Sequence, residues 1–383
     1  MKKITSIADM EAVYRRRVPR LFRDYATEGS WSGQTANDNV TDFRALRLRQ
    51  RVGINIEERS TVSQMLGERV AMPVATAPVG FTGMQRAEGE IKVARAAEKF
   101  GVPFTLSTMS ICSIEDVAAH TQRPFWFQLY VMRDRDFVSG LLDRARAAGC
   151  SALMITVDMQ VASVRHNEVK NGLSNWPRLS VAATLEMLTK LKWCSEMLGA
   201  GKWTLGNVVG HAEGVKTLND MNEFVERNYD PSLTWDDIAQ ISSEWGGKVI
   251  LKGILDPEDA ELAKQAGADA IVVSNHGGRQ LDGALSSIRA VAAVAESVGN
   301  DFEIYLDGGI RSGQDVLKAL GMGAQGALIG RAFTYALGAY GEPGVAKALN
   351  ILQNELEISM ALCGRRKVHE VTPDIVIAPD GPT

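Results

Sequence analysis

Residues 124–158 read PFWFQLYVMRDRDFVSGLLDRARAAGCSALMITVD. The segment opens on a nearly unbroken apolar run from Pro124. It then passes through Arg135–Ala148, where Val, Leu and Ala recur at helical spacing, stops at Gly149, and starts a second apolar run at Ser151. Short runs that are apolar on both faces suit strands covered by helices on two sides. Strand, helix and strand in this order form the unit from which parallel α/β sheets are built.

The same passage recurs in both directions. Apolar runs begin near Met72 (MPVATAPV), Pro103 (PFTLST), Pro124, Ser151, Gly247 (GKVILKG), Asp269 (DAIVVSN), Phe302 (FEIYLDG) and Gly326 (GALIGR), eight in all. Between them, Glu88–Phe100, Pro257–Ala266 and Ser312–Leu320 carry helical spacing. Asp256-Pro257 and Ser312 are good helix starts, and Gly101, Gly149 and Gly267 good stops. Eight alternations predict an α/β fold of a single (β/α)8 TIM barrel, with residues 1–383 as one domain. A doubly wound open sheet is the alternative. Residues 1–71 lie outside the repeat and read as an N-terminal extension, with a helix over Arg15–Tyr25 before a Gly/Ser/Thr/Asn-rich stretch. Successive runs start 20 to 35 residues apart for the most part, but Ser151 and Gly247 are 96 apart. That excess predicts a long insertion after strand 4, over residues 166–246.

Composition narrows the function. The chain has 45% hydrophobic and 23% charged residues and a net charge of −4, so no basic field points to nucleic acid. Cys112, Cys150, Cys194 and Cys363 stand far apart, which fits reduced thiols better than a disulfide framework or a metal site. The first residues lack the apolar core of a signal peptide, and no apolar run reaches 18 residues. A cytoplasmic location is expected.

Polar residues interrupt the runs at corresponding places. Strand 2 ends in Ser107-Thr108, strand 3 carries Gln128 and Tyr130, and strand 4 closes with Thr156 and Asp158. Lys252 ends strand 5, Ser274-Asn275-His276 strand 6, Asp307 strand 7 and Gly330-Arg331 strand 8. Any one could be a hydrogen-bonded core group. Seven strands in succession describe a lined pocket at the C-terminal rim of a barrel.

The last two strands suggest a phosphate. Asp307-Gly308-Gly309-Ile310-Arg311-Ser312-Gly313 follows strand 7 and Ile329-Gly330-Arg331 ends strand 8. Glycines let backbone N–H groups approach an anion, and two arginines add charge. Turn glycines beside surface arginines are the alternative. Gly321-Met322-Gly323-Ala324-Gln325-Gly326 matches a dinucleotide fingerprint only in letters, because it lies between a helix and the following strand. The richest cluster is Ser274–Asp282, SNHGGRQLD, where His276 can move a proton and Arg279 can grip a carboxylate. His120, His166, His211 and His369 sit in helices or loops and read as structural or surface groups. Lys252 is either ion-paired or placed to stabilise negative charge on a bound ring.

SNHGGRQLDG, together with DGGIRSGQDVLKALGMGA and IGRAF, resembles the FMN-dependent 2-hydroxy-acid oxidase and dehydrogenase family over nearly the whole chain. KGILDPEDA, FTLSTMSICSIEDV and WFQLYVMRDRDF resemble its bacterial respiratory L-lactate dehydrogenases. The resemblance implies FMN as cofactor and oxidation of L-2-hydroxy acids, L-lactate foremost, with electrons passed to a quinone or cytochrome. An oxidase making peroxide, a larger substrate such as mandelate, a non-catalytic flavin sensor and an FMN-dependent isomerase are the alternatives.

It also implies roles. His276 resembles the catalytic base, Asp158 its carboxylate partner, Arg279 and Arg165 the carboxylate-binding arginines, and Tyr25 and Tyr130 hydroxyl donors. Pro78, Val79, Gly80, Ser107, Gln128, Thr156, Lys252 and Ser274 match contacts to the isoalloxazine and ribityl chain. Asp307, Gly309, Arg311, Gly330 and Arg331 match the phosphate end. A homotetramer is implied as well. Glu28 departs from a glycine of many relatives, and Met109 and Ala162 replace larger groups, which suggests room for a side chain beyond glycolate.

Within the insertion, Val181–Leu198 reads VAATLEMLTKLKWCSEML. Leu185, Leu188, Leu191 and Leu198 can share one helical face, with Lys190, Lys192, Lys202, Trp193 and Trp203 nearby. That pattern suits a helix lying on the inner face of a membrane, as in membrane-bound members of the family. A lid or subunit contact is the alternative.

Overall fold

The computed structural model describes residues 1, 3–171, 180–216, 220, 224, 227–299 and 301–378. Eight strands form one parallel sheet: β1 (Val74–Thr76), β2 (Thr105–Ser107), β3 (Trp126–Tyr130), β4 (Ala152–Thr156), β5 (Lys248–Ile254), β6 (Ala270–Val273), β7 (Glu303–Leu306) and β8 (Gly326–Ile329). Each strand from β2 to β8 pairs with the next, and β8 returns to β1 through Ala327–Val74, Leu328–Ala75 and Ile329–Thr76. Thr76 N donates to Pro103 O at 3.0 Å, and Thr105 N to Thr76 Oγ1 at 3.3 Å, bringing β1 against β2. The return of β8 to β1 rules out the open doubly wound sheet.

Inside the barrel, Trp126 and Tyr305 stack with ring centroids 6.1 Å apart, packed with Met154, Ile250, Val272 and Leu328. A hairpin of Ser63–Met65 and Glu68–Val70 adds Met65 and Leu66 to this cluster, and Leu66 N donates to Tyr305 Oη at 2.9 Å. The interior is therefore a packed core. Truncating Trp126 would cost about 3–5 kcal/mol.

Two expectations outside the barrel need correction. In place of one helix over Arg15–Tyr25 there are two, α1 (Ile7–Arg17) and α2 (Arg20–Thr27). Pro19 lacks an N–H and pushes Val18 into extended backbone, φ −97° and ψ 136°, so the first helix ends there. The polar stretch that follows includes α3 (Gln34–Ala45), whose buried face is Thr35, Asn39 and Phe43.

The insertion between β4 and β5 contains α4 (His166–Asn171), α5 (Val181–Leu188) and α6 (Leu191–Ala200), and the helix Trp235–Trp245 leads into β5. The single helix expected over Val181–Leu198 is broken at Thr189-Lys190. Thr189 Oγ1 donates to Glu186 O at 2.6 Å and Lys190 pairs with Glu186 at 3.2 Å, so side chains close the first helix without Pro or Gly. Trp193 and Met197 are buried, and Trp193 Nε1 donates to Met84 O at 2.8 Å. Leu185, Leu188, Leu191 and Leu198 all remain exposed. Among the described residues no helix is long and apolar enough to cross a membrane.

Candidate active site

The polar strand ends converge at the C-terminal mouth of the barrel. Ser274, just past β6, accepts from Lys252 Nζ and from His276 N, each at 3.0 Å. Lys252 Nζ also lies 3.3 Å from Asp307 Oδ2. Burial alone would lower the Lys252 pKa, but Asp307 and Asp158 raise it above the ordinary lysine value. A buried ammonium ion thus faces the cavity with a carboxylate behind it. The ion pair of the first reading is present, and Lys252 also lines the cavity.

His276 has φ 59°, and Gly277 and Gly278 follow at 66° and 74°. Left-handed backbone costs a non-glycine residue about 1–2 kcal/mol, so this turn is held by its surroundings. A Cβ on Gly278 would come 2.3 Å from Ala36 N, which fixes glycine there. The turn brings His276 Nδ1 to 2.9 Å from Asp158 Oδ1 and Nε2 to 3.4 Å from Tyr130 Oη. Asp158 is itself given room by glycine, since a Cβ on Gly253 would stand 2.6 Å from its Cγ. An ionised Asp158 makes Nδ1 the protonated nitrogen and leaves Nε2 able to accept a proton.

Burial pulls the His276 pKa below its ordinary value, aided by Lys252 and Arg165 and only partly offset by Asp158. Burial would raise Asp158, but the charges of His276 and Lys252 hold it below the usual aspartate value. Burial raises the pKa of both Tyr25 and Tyr130, so both phenols stay protonated as donors.

Arg279 stands over the Tyr25 ring at 4.6 Å and donates through Nη1 to the carbonyls of Tyr25 and Glu28. Arg165 donates to Ser163 Oγ at 3.2 Å and to Arg279 O at 3.4 Å.

At the other end, Gly308 and Gly309 adopt φ 88° and 92°. A Cβ on Gly309 would fall 1.9 Å from Asn39 O, so no other residue fits. Arg331 uses three of its five N–H donors on Ala26 O, Gly277 O and Glu28 O, at 2.8–3.1 Å. Burial, with Arg311 and Arg279 nearby, pulls its pKa down to about 10. Arg311 N donates to Asp315 Oδ2 at 2.9 Å and its Nη1 to Ile310 O at 2.9 Å, and among the described residues neither the Arg311 nor the Arg331 guanidinium is ion-paired to a carboxylate. Arg331 opens the helix Arg331–Tyr340 and Arg311 precedes the helix Gly313–Gly321, so two guanidinium groups beside helix N-termini invite an anion.

The cavity between these ends encloses about 750 Å³ of empty space, open solvent included. Its walls take in Tyr25, Pro78, Val79, Gly80, Tyr130, Lys252, His276, Arg279, Asp307, Gly309, Arg311, Gly330 and Arg331. Ser107, Gln128, Thr156, Asp158, Ser274 and Arg165 are not among the lining residues, though Asp158 and Ser274 touch two that are, His276 and Lys252. Ser107 Oγ donates to Gln128 Oε1 at 3.0 Å, while among the described residues buried Gln128 Nε2, Thr156 Oγ1 and Asp307 Oδ1 have no hydrogen-bond partner. Unpaired buried polar atoms are costly unless a ligand meets them. A long apolar-and-polar ring system carrying a phosphate, as in FMN, fits this set of donors and acceptors.

The sequence reading did not single out Glu168, whose carboxylate reaches both Arg279 and Arg165. The Arg165-x-x-Glu168 spacing was a helix-pair signal. Ala77 and Thr334 also line the cavity unforeseen.

Known proteins give the same picture. Residues 14–378 match the profile of the FMN-dependent dehydrogenases. The L-lactate dehydrogenase of Actinobacillus pleuropneumoniae serotype 5b is 45% identical over 98% of both chains, and that of Haemophilus influenzae strain PittEE 44% identical over the same shares. Among solved structures, the monotopic membrane protein (S)-mandelate dehydrogenase superposes with TM-score 0.94 at 31% identity, covering 98% of this chain and 100% of the other. Mandelate oxidase superposes at 0.83 with 34% identity over the full length of both. The chain belongs to the FMN-dependent dehydrogenase family.

Proposed function

We propose that the protein oxidises L-2-hydroxy acids, L-lactate to pyruvate in the first instance, and passes the electrons to a quinone or cytochrome. The single observation that supports this most is the His276–Asp158 contact of 2.9 Å at the edge of the cavity, beside Arg279. Pro78–Gly80, Ser107, Gln128, Thr156, Lys252 and Ser274 would hold the ring and ribityl end of FMN. Asp307, Gly309, Arg311, Gly330 and Arg331 would hold the phosphate end. Bound FMN supplies the two-electron acceptor.

The chain's own groups do the rest. Arg279 and Arg165 bind the substrate carboxylate, and Tyr25 and Tyr130 donate to its oxygens. His276 Nε2 takes a proton from the substrate as two electrons leave Cα. Asp158 stabilises the imidazolium that forms, as a buried carboxylate does behind a catalytic histidine. Lys252, charged and buried, offers a positive counter-charge at the floor of the cavity.

Association with the inner face of the cytoplasmic membrane is part of the proposal. Val181, Leu185, Leu188, Leu191 and Leu198 expose apolar surface on α5 and α6. The solved (S)-mandelate dehydrogenase is described as a monotopic membrane protein. The family resemblance supports a homotetramer. Oxygen as acceptor is the second reading, since mandelate oxidase shares the architecture. Anaerobic mixing of the flavin-loaded protein with glycolate, L-lactate and L-mandelate tests the proposal. Bleaching by L-lactate is expected, and no bleaching by any of the three overturns it. Peroxide formation in air at the dye-coupled rate would favour the oxidase.

A further inference from the structure

Glu168 lies on α4, a helix with no buried residues, yet its own side chain is only 13% exposed. It points between two guanidinium groups. Oε1 accepts from Arg279 Nη2 at 3.0 Å, and Oε2 lies 3.6 Å from Arg165 Nη1. A 2-hydroxy acid would bring its carboxylate to the same two arginines. The resting site therefore already contains one anion of the kind it is meant to receive.

We infer that Glu168 is an internal counter-carboxylate, which competes with the substrate for Arg279 and Arg165 and so weakens the grip of the site on monocarboxylates. The inference rests on the functional reading given above.

Two observations separate this from a simple brace. Both arginines have anchors of their own: Arg279 on the carbonyls of Tyr25 and Glu28, and Arg165 on Ser163 Oγ and Arg279 O. None of those anchors involves Glu168. The helix carrying Glu168 is exposed and tied down at its end by Asn171, which donates to Asp24 Oδ2 at 2.7 Å. The chemistry gives the device a use. Substrate and product are both monocarboxylates, so a site with two uncompensated guanidinium groups would hold the product as firmly as the substrate and slow its release.

The test uses the flavin-loaded protein and 2-hydroxy-2-methylpropanoate, which has no hydrogen on the carbon bearing the hydroxyl and is not oxidised. Its dissociation constant is measured by calorimetry in the wild type, Glu168→Gln and Glu168→Asp, with the uncharged amide of the same acid as control. Removing one negative charge at this distance should tighten binding of the acid by about tenfold in Glu168→Gln. Binding of the amide should not change, and Glu168→Asp should behave as wild type. Should Glu168→Gln fail to fold, Glu168→Ala removes the same charge and must tighten binding too. Unchanged or weaker binding of the acid in the charge-free variants overturns the inference. A wild type that bleaches with L-lactate while Glu168→Gln binds no tighter overturns this role alone. A wild type that neither bleaches nor binds the acid overturns the functional reading with it.

Discussion

His276 and Asp158 meet at 2.9 Å between Nδ1 and Oδ1, although 118 residues separate them in the chain. The contact fixes the imidazole tautomer and leaves Nε2 turned toward Tyr130. Asp158→Asn keeps the shape but removes the charge that stabilises a protonated imidazole. It should lower kcat by roughly 10²- to 10⁴-fold. Flavin content after gel filtration should be unchanged, because Asp158 is not among the residues that line the cavity.

The same pair sets a pH dependence. In the proposed mechanism His276 acts through its neutral form, and burial holds its pKa below the ordinary 6.5. Activity should therefore be level at neutral pH and fall only on acidification through a midpoint below 6.5. Asp158 raises the His276 pKa, so Asp158→Asn should move that midpoint lower still. The measurement is kcat/KM against pH with a dye acceptor under argon. A limb above 7, by contrast, would mean that another group is being titrated.

Arg279 offers a planar fork held over Tyr25 and fastened to two carbonyls. Lysine keeps the charge but loses the fork and the stacking. Arg279→Lys should raise KM for L-lactate by roughly 10- to 100-fold, as expected for losing one charged hydrogen bond of about 1.5–3 kcal/mol. Steady-state kinetics over a range of substrate concentrations checks this.

Gly80 is hemmed in by the substrate side of the site. A Cβ there would stand 2.7 Å from Tyr25 Oη and 3.2 Å from Met109 Cβ. Gly80→Ala should displace the Tyr25 hydroxyl, raising KM while leaving the protein folded. A crystal structure of the variant with Tyr25 unmoved would contradict this.

How much of this was legible in the sequence differs by element. The barrel strands were legible because burial on both faces forces nearly continuous apolar runs, and Asp256 and Ser312 cap their helices as their side chains suggest. The strand-end residues followed, since a closed parallel barrel brings all C-terminal ends to one mouth. α3 was not legible. Its buried Asn39 is satisfied by Asn275, 236 residues away, so a core face looked like a polar loop. The break at Thr189-Lys190 carries no Pro or Gly, and its hydrogen bonds are seen only once the chain is folded. Glu168 escaped notice because its chief partner, Arg279, is 111 residues distant.

The exposed leucines of α5 and α6 give a surface prediction. Leu191→Asp with Leu198→Asp changes two side chains that are 78% and 75% exposed, so stability should change little. Flotation with anionic liposomes should drop sharply in the double variant. Equal flotation of wild type and variant would remove the membrane contact from the account.

Everything rests on the imidazole of residue 276 as the proton acceptor. Anaerobic stopped-flow mixing of flavin-loaded wild type and His276→Gln with L-lactate tests that most directly. The wild-type flavin should bleach rapidly, and His276→Gln, retaining its flavin, should bleach about 10³-fold more slowly or worse. Bleaching of both at the same rate would contradict the account.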